Sequence, residues 1–126
     1  MHSCSHIFDS ISPLIMKLPI DPNSVKGFLD HEEGLALYEK TLTYSKLGPC
    51  LEIGSYCGKS ALYIATATKL NKQTLFSIDH HRGSEEQQPG EEYFDPDLIN
   101  NKGDGIDTLP YFLETIKRSN LGETIS

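Results

Sequence analysis

The chain has 126 residues, a formal net charge of −7, 37% hydrophobic residues and 23% charged ones, which suits one globular domain with a real core. No apolar run approaches the roughly 20 residues of a membrane span, and Met1–Ser10 lacks the basic-then-apolar plan of a signal peptide. An acidic chain is a poor partner for a phosphate backbone, so a cytoplasmic protein with no nucleic acid and no membrane is expected.

Ile7, Ile11, Leu14, Ile15 and Leu18 recur at helical spacing, but Pro13 and Pro19 confine a helix there to a short piece. Pro22 and Gly27 mark a connector. Asp30, with Glu33 three places on, predicts a capping box. Leu35, Tyr38 and Leu42 then share a face and Gly48-Pro49 stops the element, so a helix over 31–47 is expected to pack on a sheet.

Cys50, Leu51 and Ile53 make a short strand that breaks at Gly54. A helix over about 58–71 follows, with Ala61, Leu62, Ala65 and Leu70 as its apolar positions and Gly58 allowing helix and strand to approach closely. Leu75–Ile78 is a second strand ending at Asp79. Strand, helix and strand at this spacing form a βαβ unit with parallel strands and a right-handed crossover.

From His80 to Asp104 no periodicity is visible, and Gly83, Pro89, Gly90 and Pro96 interrupt the chain. Residues 79–104 hold eight acids against Arg82 and Lys102, nearly the whole net charge. A long acidic loop (80–104) directly after the second strand is placed to act as a lid. Leu109, Phe112, Leu113 and Ile116 predict a helix near 107–120, with Pro110 tolerated in its first turn, and Glu123–Ser126 opens a third strand. The reading is a single, incomplete α/β domain over 1–126. It is the front half of a parallel sheet flanked by helices, truncated at about the start of the third strand, whose exposed edge favours self-association.

The turn at 49–60 carries the chemistry. A strand that turns through glycines into a helix N-terminus gathers backbone N–H groups and a positive dipole end, suited to a small anionic or zwitterionic ligand. A phosphate-cradling loop needs four residues between its glycine and Gly-Lys-Ser, and here Gly54 and Gly58-Lys59-Ser60 have three between them. This leaves a P-loop-like NTPase as a distant alternative. In a dinucleotide fingerprint a glycine would stand where Tyr56 stands, leaving room for a pyrophosphate. Asp79, 25 residues after Gly54, is positioned for the ribose hydroxyls of an adenosine. Glu52 could meet an ammonium and Ser60 a carboxylate, and ribose, ammonium and carboxylate together point to S-adenosylmethionine.

The run Leu51-Glu52-Ile53-Gly54-Ser55-Tyr56-Cys57-Gly58-Lys59-Ser60 resembles the first motif of class I S-adenosylmethionine-dependent methyltransferases, in particular the small O-methyltransferases related to catechol O-methyltransferase. Phe76–Glu86 and Asp107–Pro110 resemble a bacterial branch of the same superfamily, and the likeness covers about 25–126. It implies a Rossmann-like fold and methyl transfer to a small-molecule substrate through oxygen or nitrogen. It also implies a cofactor site in which Glu52 and Gly54 line the methionine end, with Ser55 and Gly58 in the same turn. Tyr56 would pack near the sulfonium, Ser60 bind the carboxylate, Asp79 bind the ribose, and His80 lie beside the adenosine. The adenine clamp, metal ligands and catalytic base of such enzymes come from later strands, so no catalytic residue is assigned. The alternative is a non-catalytic remnant that binds cofactor weakly or acts through its sheet edge.

Bland roles fit the remaining candidates. Cys57 has no base placed for it and reads as a small buried hydrophobe; Cys4, Cys50 and Cys57 are expected as reduced thiols. His80-His81 with Glu85-Glu86, and His31 with Glu32-Glu33, lack the i, i+4 spacing of a helical metal site, so no metal is expected.

Overall fold

The computed structural model describes residues 17–126. The apolar piece over Ile7–Ile15 and the Cys4 thiol therefore lie outside the described residues, whereas Leu18 is seen packing against both core clusters. Among the described residues there are three α-helices and two strands: α1 (His31–Tyr44), β1 (Cys50–Ile53), α2 (Lys59–Leu70), β2 (Leu75–Ile78) and α3 (Leu109–Ser119). Among the described residues no helix is long and apolar enough to cross a membrane.

β1 and β2 pair in parallel, Cys50 with Leu75 through Ile53 with Ile78, as a βαβ unit requires. The expected third strand begins where the pattern placed it. Ile125 bridges Leu75 in parallel on the other edge of β2, where Leu75 N–H donates to Thr124 and Ser126 N–H donates back to Leu75, both at 2.9 Å. This is the Rossmann-like arrangement of a parallel layer with flanking helices. Alternation along the strands sends Glu52 and Leu75 inward, while Leu51, Ile53, Phe76 and Ile78 share an exposed face.

α1 differs from expectation in what it covers. Asp30 caps it by accepting from Glu33 N–H at 2.8 Å. It packs on α2, not on the sheet: Tyr38 meets Tyr63 and Ala67, and Gly34 lies flat against the Tyr63 ring. It also ends at Tyr44, because Asn71 at the end of α2 donates to Leu42 O at 2.9 Å and Ser45 Oγ at 2.7 Å and so satisfies the last turn from outside.

α2 is consequently buried nearly all round, through Ala61, Leu62, Tyr63, Ala65, Ala67 and Thr68, with Leu70 exposed at its end. In α3 the expected stripe is rotated. The buried face is Phe112, Thr115, Ile116 and Ser119 at i, i+3, i+4 and i+7, while Leu109 and Leu113 face solvent. The hydroxyls of that face stay satisfied, since Thr115 donates to Cys57 O at 2.7 Å and Ser119 to Thr115 O at 2.7 Å. Gly58 serves this helix as well. A Cβ there would stand 3.1 Å from Thr115 Cγ2, so the close approach is to α3 rather than to the strand.

The acidic segment after β2 is structured. Short 3-10 turns form at Glu85–Gln87 and Pro96–Leu98, Ile99 bridges Ile106, and Leu98 and Ile106 are buried in the main core.

Gly34→Ala tests the α1–α2 contact. The new methyl would lie 2.3–2.6 Å from three atoms of a Tyr63 ring that is fully buried. Overpacking of this kind costs about 1–3 kcal/mol, read as a lower urea midpoint. Adding Tyr63→Leu should recover part of the loss, because the two changes share one contact.

Candidate functional site

The turn between β1 and α2 is built on a carboxylate. Asp79, at the end of β2, accepts from the N–H groups of Ser55 and Tyr56 at Oδ2 and of His81 at Oδ1, each at 2.8 Å. Parallel register brings it there, since Ile53 pairs with Ile78 and Gly54 N–H reaches Ile78 O at 2.8 Å, leaving the next residues of both strands side by side. Burial alone would raise the Asp79 pKa, but the backbone N–H donors and the nearby His81 outweigh it and hold the group below the ordinary carboxylate range. Oδ2 takes both turn N–H groups and lies 3.5 Å from the Ser55 hydroxyl, whereas Oδ1 takes the His81 N–H alone, so about one acceptor position, on Oδ1, remains for a ligand.

The same bonds hold Tyr56 in the left-handed region, at φ 50. A non-glycine residue rarely rests there, and the bond from its N–H to Asp79 compensates the strain. Burial pushes its phenol up to about 12, so the hydroxyl stays protonated and neutral. Gly54 has φ 86 and no atom within 4 Å of a Cβ built on it, so its backbone is bare toward the cleft. Cys57 is 1% exposed and burial raises its thiol to about 12, which fits the inert role expected of it.

Glu52 and Ser60 are brought together, but as each other's partner. The Ser60 hydroxyl donates a short hydrogen bond to Glu52, and Ser77 donates to the other Glu52 oxygen at 3.0 Å. Burial raises the Glu52 pKa, and the two serine hydroxyls offset part of that shift. Glu52 does not line either of the cavities at the turn, whereas Ser60 does. With its proton engaged on Glu52, Ser60 Oγ offers the cleft lone pairs rather than a donor.

Two cavities of about 350 and 250 Å³ meet at Gly54, Tyr56 and Gln87. The first reaches Lys59 and Ser60 at the start of α2, and the second reaches Asp79 and His80. A third, of about 630 Å³, continues past Asp79 and His80 to Arg82, Lys102 and Asp104. His80 is exposed, and its Nδ1 accepts from Arg82 N–H at 3.0 Å. The same Nδ1 lies 3.9 Å from Asp79 Oδ1.

Several residues of the cleft were not legible in the sequence. Gly27, Phe28 and Glu33 border the first cavity, Ser84 the second, and Gln87 both. The connector before α1 crosses the start of α2, where a Cβ on Gly27 would stand 3.2 Å from Lys59 Cβ. The acidic segment is strapped to that connector. Lys26 Nζ reaches Asp95 at 2.7 Å and Asp97 at 2.9 Å and lies 5.8 Å from the Tyr111 ring centre, while Phe28 meets Tyr93 edge-on at 4.9 Å. The Lys26 bond holds the Asp95 carboxyl below its usual range.

The cleft offers one open acceptor position on Asp79, a bare glycine backbone, and the N–H groups of a first helical turn. Because the folded-state pKa of Asp79 lies below its unfolded value, its contribution is complete above the unfolded value of about 3.9 and is lost as pH falls through the folded one. Asp79→Asn should therefore flatten the acid limb of stability measured from pH 6 down to 3. At pH 7 it should cost about 1–3 kcal/mol by urea denaturation, since the amide cannot accept all three N–H groups.

A family model described as a methyltransferase domain matches residues 51–120, more than half of the chain, from the second residue of β1 through the end of α3. The turn, the acid that locks it and the strapped segment all fall inside that match, and the chain belongs to this methyltransferase-domain family.

Proposed function

We propose that the chain binds S-adenosylmethionine across the turn at 54–60 and serves methyl transfer to a small-molecule acceptor through oxygen or nitrogen. The observation that carries this reading is Asp79, which locks the turn and keeps about one acceptor position on the cleft side. That position takes a ribose hydroxyl, and His80 lies beside the adenosine. Gly54 lets the ligand rest on the backbone, Ser55 anchors the turn through its N–H, and Tyr56 walls the sulfonium region. The first-turn N–H groups of α2, behind Gly58, hold the carboxylate. Ser60, oriented by the buried Glu52, accepts from the ammonium. When bound, this cofactor supplies an electrophilic methyl group. The protein's part is orientation and the exclusion of water by the segment that Lys26 straps down.

Calorimetric titration with S-adenosylhomocysteine should show saturable binding that Asp79→Ala weakens by about tenfold or more, the loss of one charge-assisted hydrogen bond and of the turn's lock. ATP binding in its place would sink the assignment.

One observation favours the non-catalytic alternative, a module acting through its sheet. Leu51, Ile53, Phe76 and Ile78 expose an apolar patch beside the edge of β1 that, among the described residues, pairs with no strand. Their combined area is of the order of a few hundred Å², the upper range for a monomer. The occupant we infer is a second copy, because two β1 edges related by a two-fold axis are self-complementary. Sedimentation velocity of the chain should show a dimer that Ile53→Lys shifts to monomer; a clean monomer at all concentrations would end this reading.

A further inference from the structure

A cavity of about 420 Å³ shares Phe28 and Tyr56 with the cofactor cleft and is completed by Tyr93 and Phe94 from the acidic segment, with Glu92 and Asp95 on its wall. The rings do not stack. Phe28 and Tyr56 are inclined at 44° with centres 5.8 Å apart, and Phe28 and Tyr93 at 70° with centres 4.9 Å apart. Inclined rings leave part of their faces free. Phe28 is 60% exposed and Tyr93 43%, so two large aromatic surfaces stand at the mouth of this cavity in water. The cation on its wall, Lys26, is engaged by Asp95 and Asp97, so Glu92 is the acid of the lining that, among the described residues, makes no ion pair.

Aromatic faces under a negative potential select one class of small molecule. We infer that this cavity receives the methyl acceptor and that the acceptor is an organic cation, with an alkylated ammonium seated among Phe28, Tyr56 and Tyr93. The ring quadrupoles attract the cation at short range, and the acidic segment raises its local concentration. A neutral apolar molecule of the same shape would gain the contact area but neither of these. The word acceptor rests on the cofactor reading above; the preference for a cation does not. Tyr56 joins the two sites, since its side of the turn borders both cavities. The ammonium is the group by which the molecule is recognised.

The test titrates the full chain with choline and with 3,3-dimethyl-1-butanol, which has the same shape without the charge, each with and without S-adenosylhomocysteine. Choline should bind saturably and at least about tenfold more tightly than the alcohol. Tyr93→Ala should remove most of that difference, and Tyr93→Phe should retain it. Equal affinity for the alcohol would make the cavity merely apolar and overturn the inference. So would absent choline binding, or a Tyr93→Ala chain that still prefers choline. Binding of S-adenosylhomocysteine without choline would overturn this inference alone. Choline binding without S-adenosylhomocysteine would overturn the cofactor reading and leave the cation site standing.

Discussion

Three N–H groups converge on the Asp79 carboxylate, and the geometry of the whole cleft follows from that convergence. Ser55 and Tyr56 belong to the turn after β1, and His81 to the segment after β2, so one side chain ties together the carboxyl ends of both strands. In a parallel pair those ends lie at the same edge of the sheet, which is where ligand crevices form in α/β domains. The strain at Tyr56, the bare backbone at Gly54 and the start of α2 are all held in register by this anchor. Charge-assisted bonds to backbone N–H groups are roughly twice as strong as neutral ones, so a single residue suffices.

Around that anchor the buried polar groups are paired off internally. Glu52 is satisfied by Ser60 and Ser77, Thr115 by Cys57 O, and Tyr63 by His31 Nδ1 at 2.7 Å. Such pairing changes what each residue can offer a ligand. Ser60 is an acceptor toward the cleft because its proton is engaged, and Asp79 has about one open position because the fold already uses the others. Residue type alone therefore overstates the recognition capacity of this site.

The acidic segment shows the same economy. Its charge is largely solvated, yet Leu98 and Ile106 enter the core, and two of its acids close on Lys26. A segment held at both its apolar and its charged points forms a fixed wall of the cleft. The rings it brings, Tyr93 and Phe94, extend that wall beyond the cavities at the turn.

Local pattern determined a good part of this molecule. The strands Cys50–Ile53 and Leu75–Ile78, the Asp30 cap, the turn from Gly54 to Ser60 and the acid at Asp79 are all readable in place, because each depends on neighbours within a few positions or on the fixed span of one βαβ unit. The tertiary structure decided the rest. It sent α1 onto α2 through Gly34 and Tyr63, rotated α3 onto Phe112 and Ile116, joined Ser60 to Glu52, and brought Lys26 and Phe28 over the turn. Lys26 and Asp95 are 69 positions apart, and no period or spacing encodes a contact at that range. It exists only once the core has fixed the path of the chain between them.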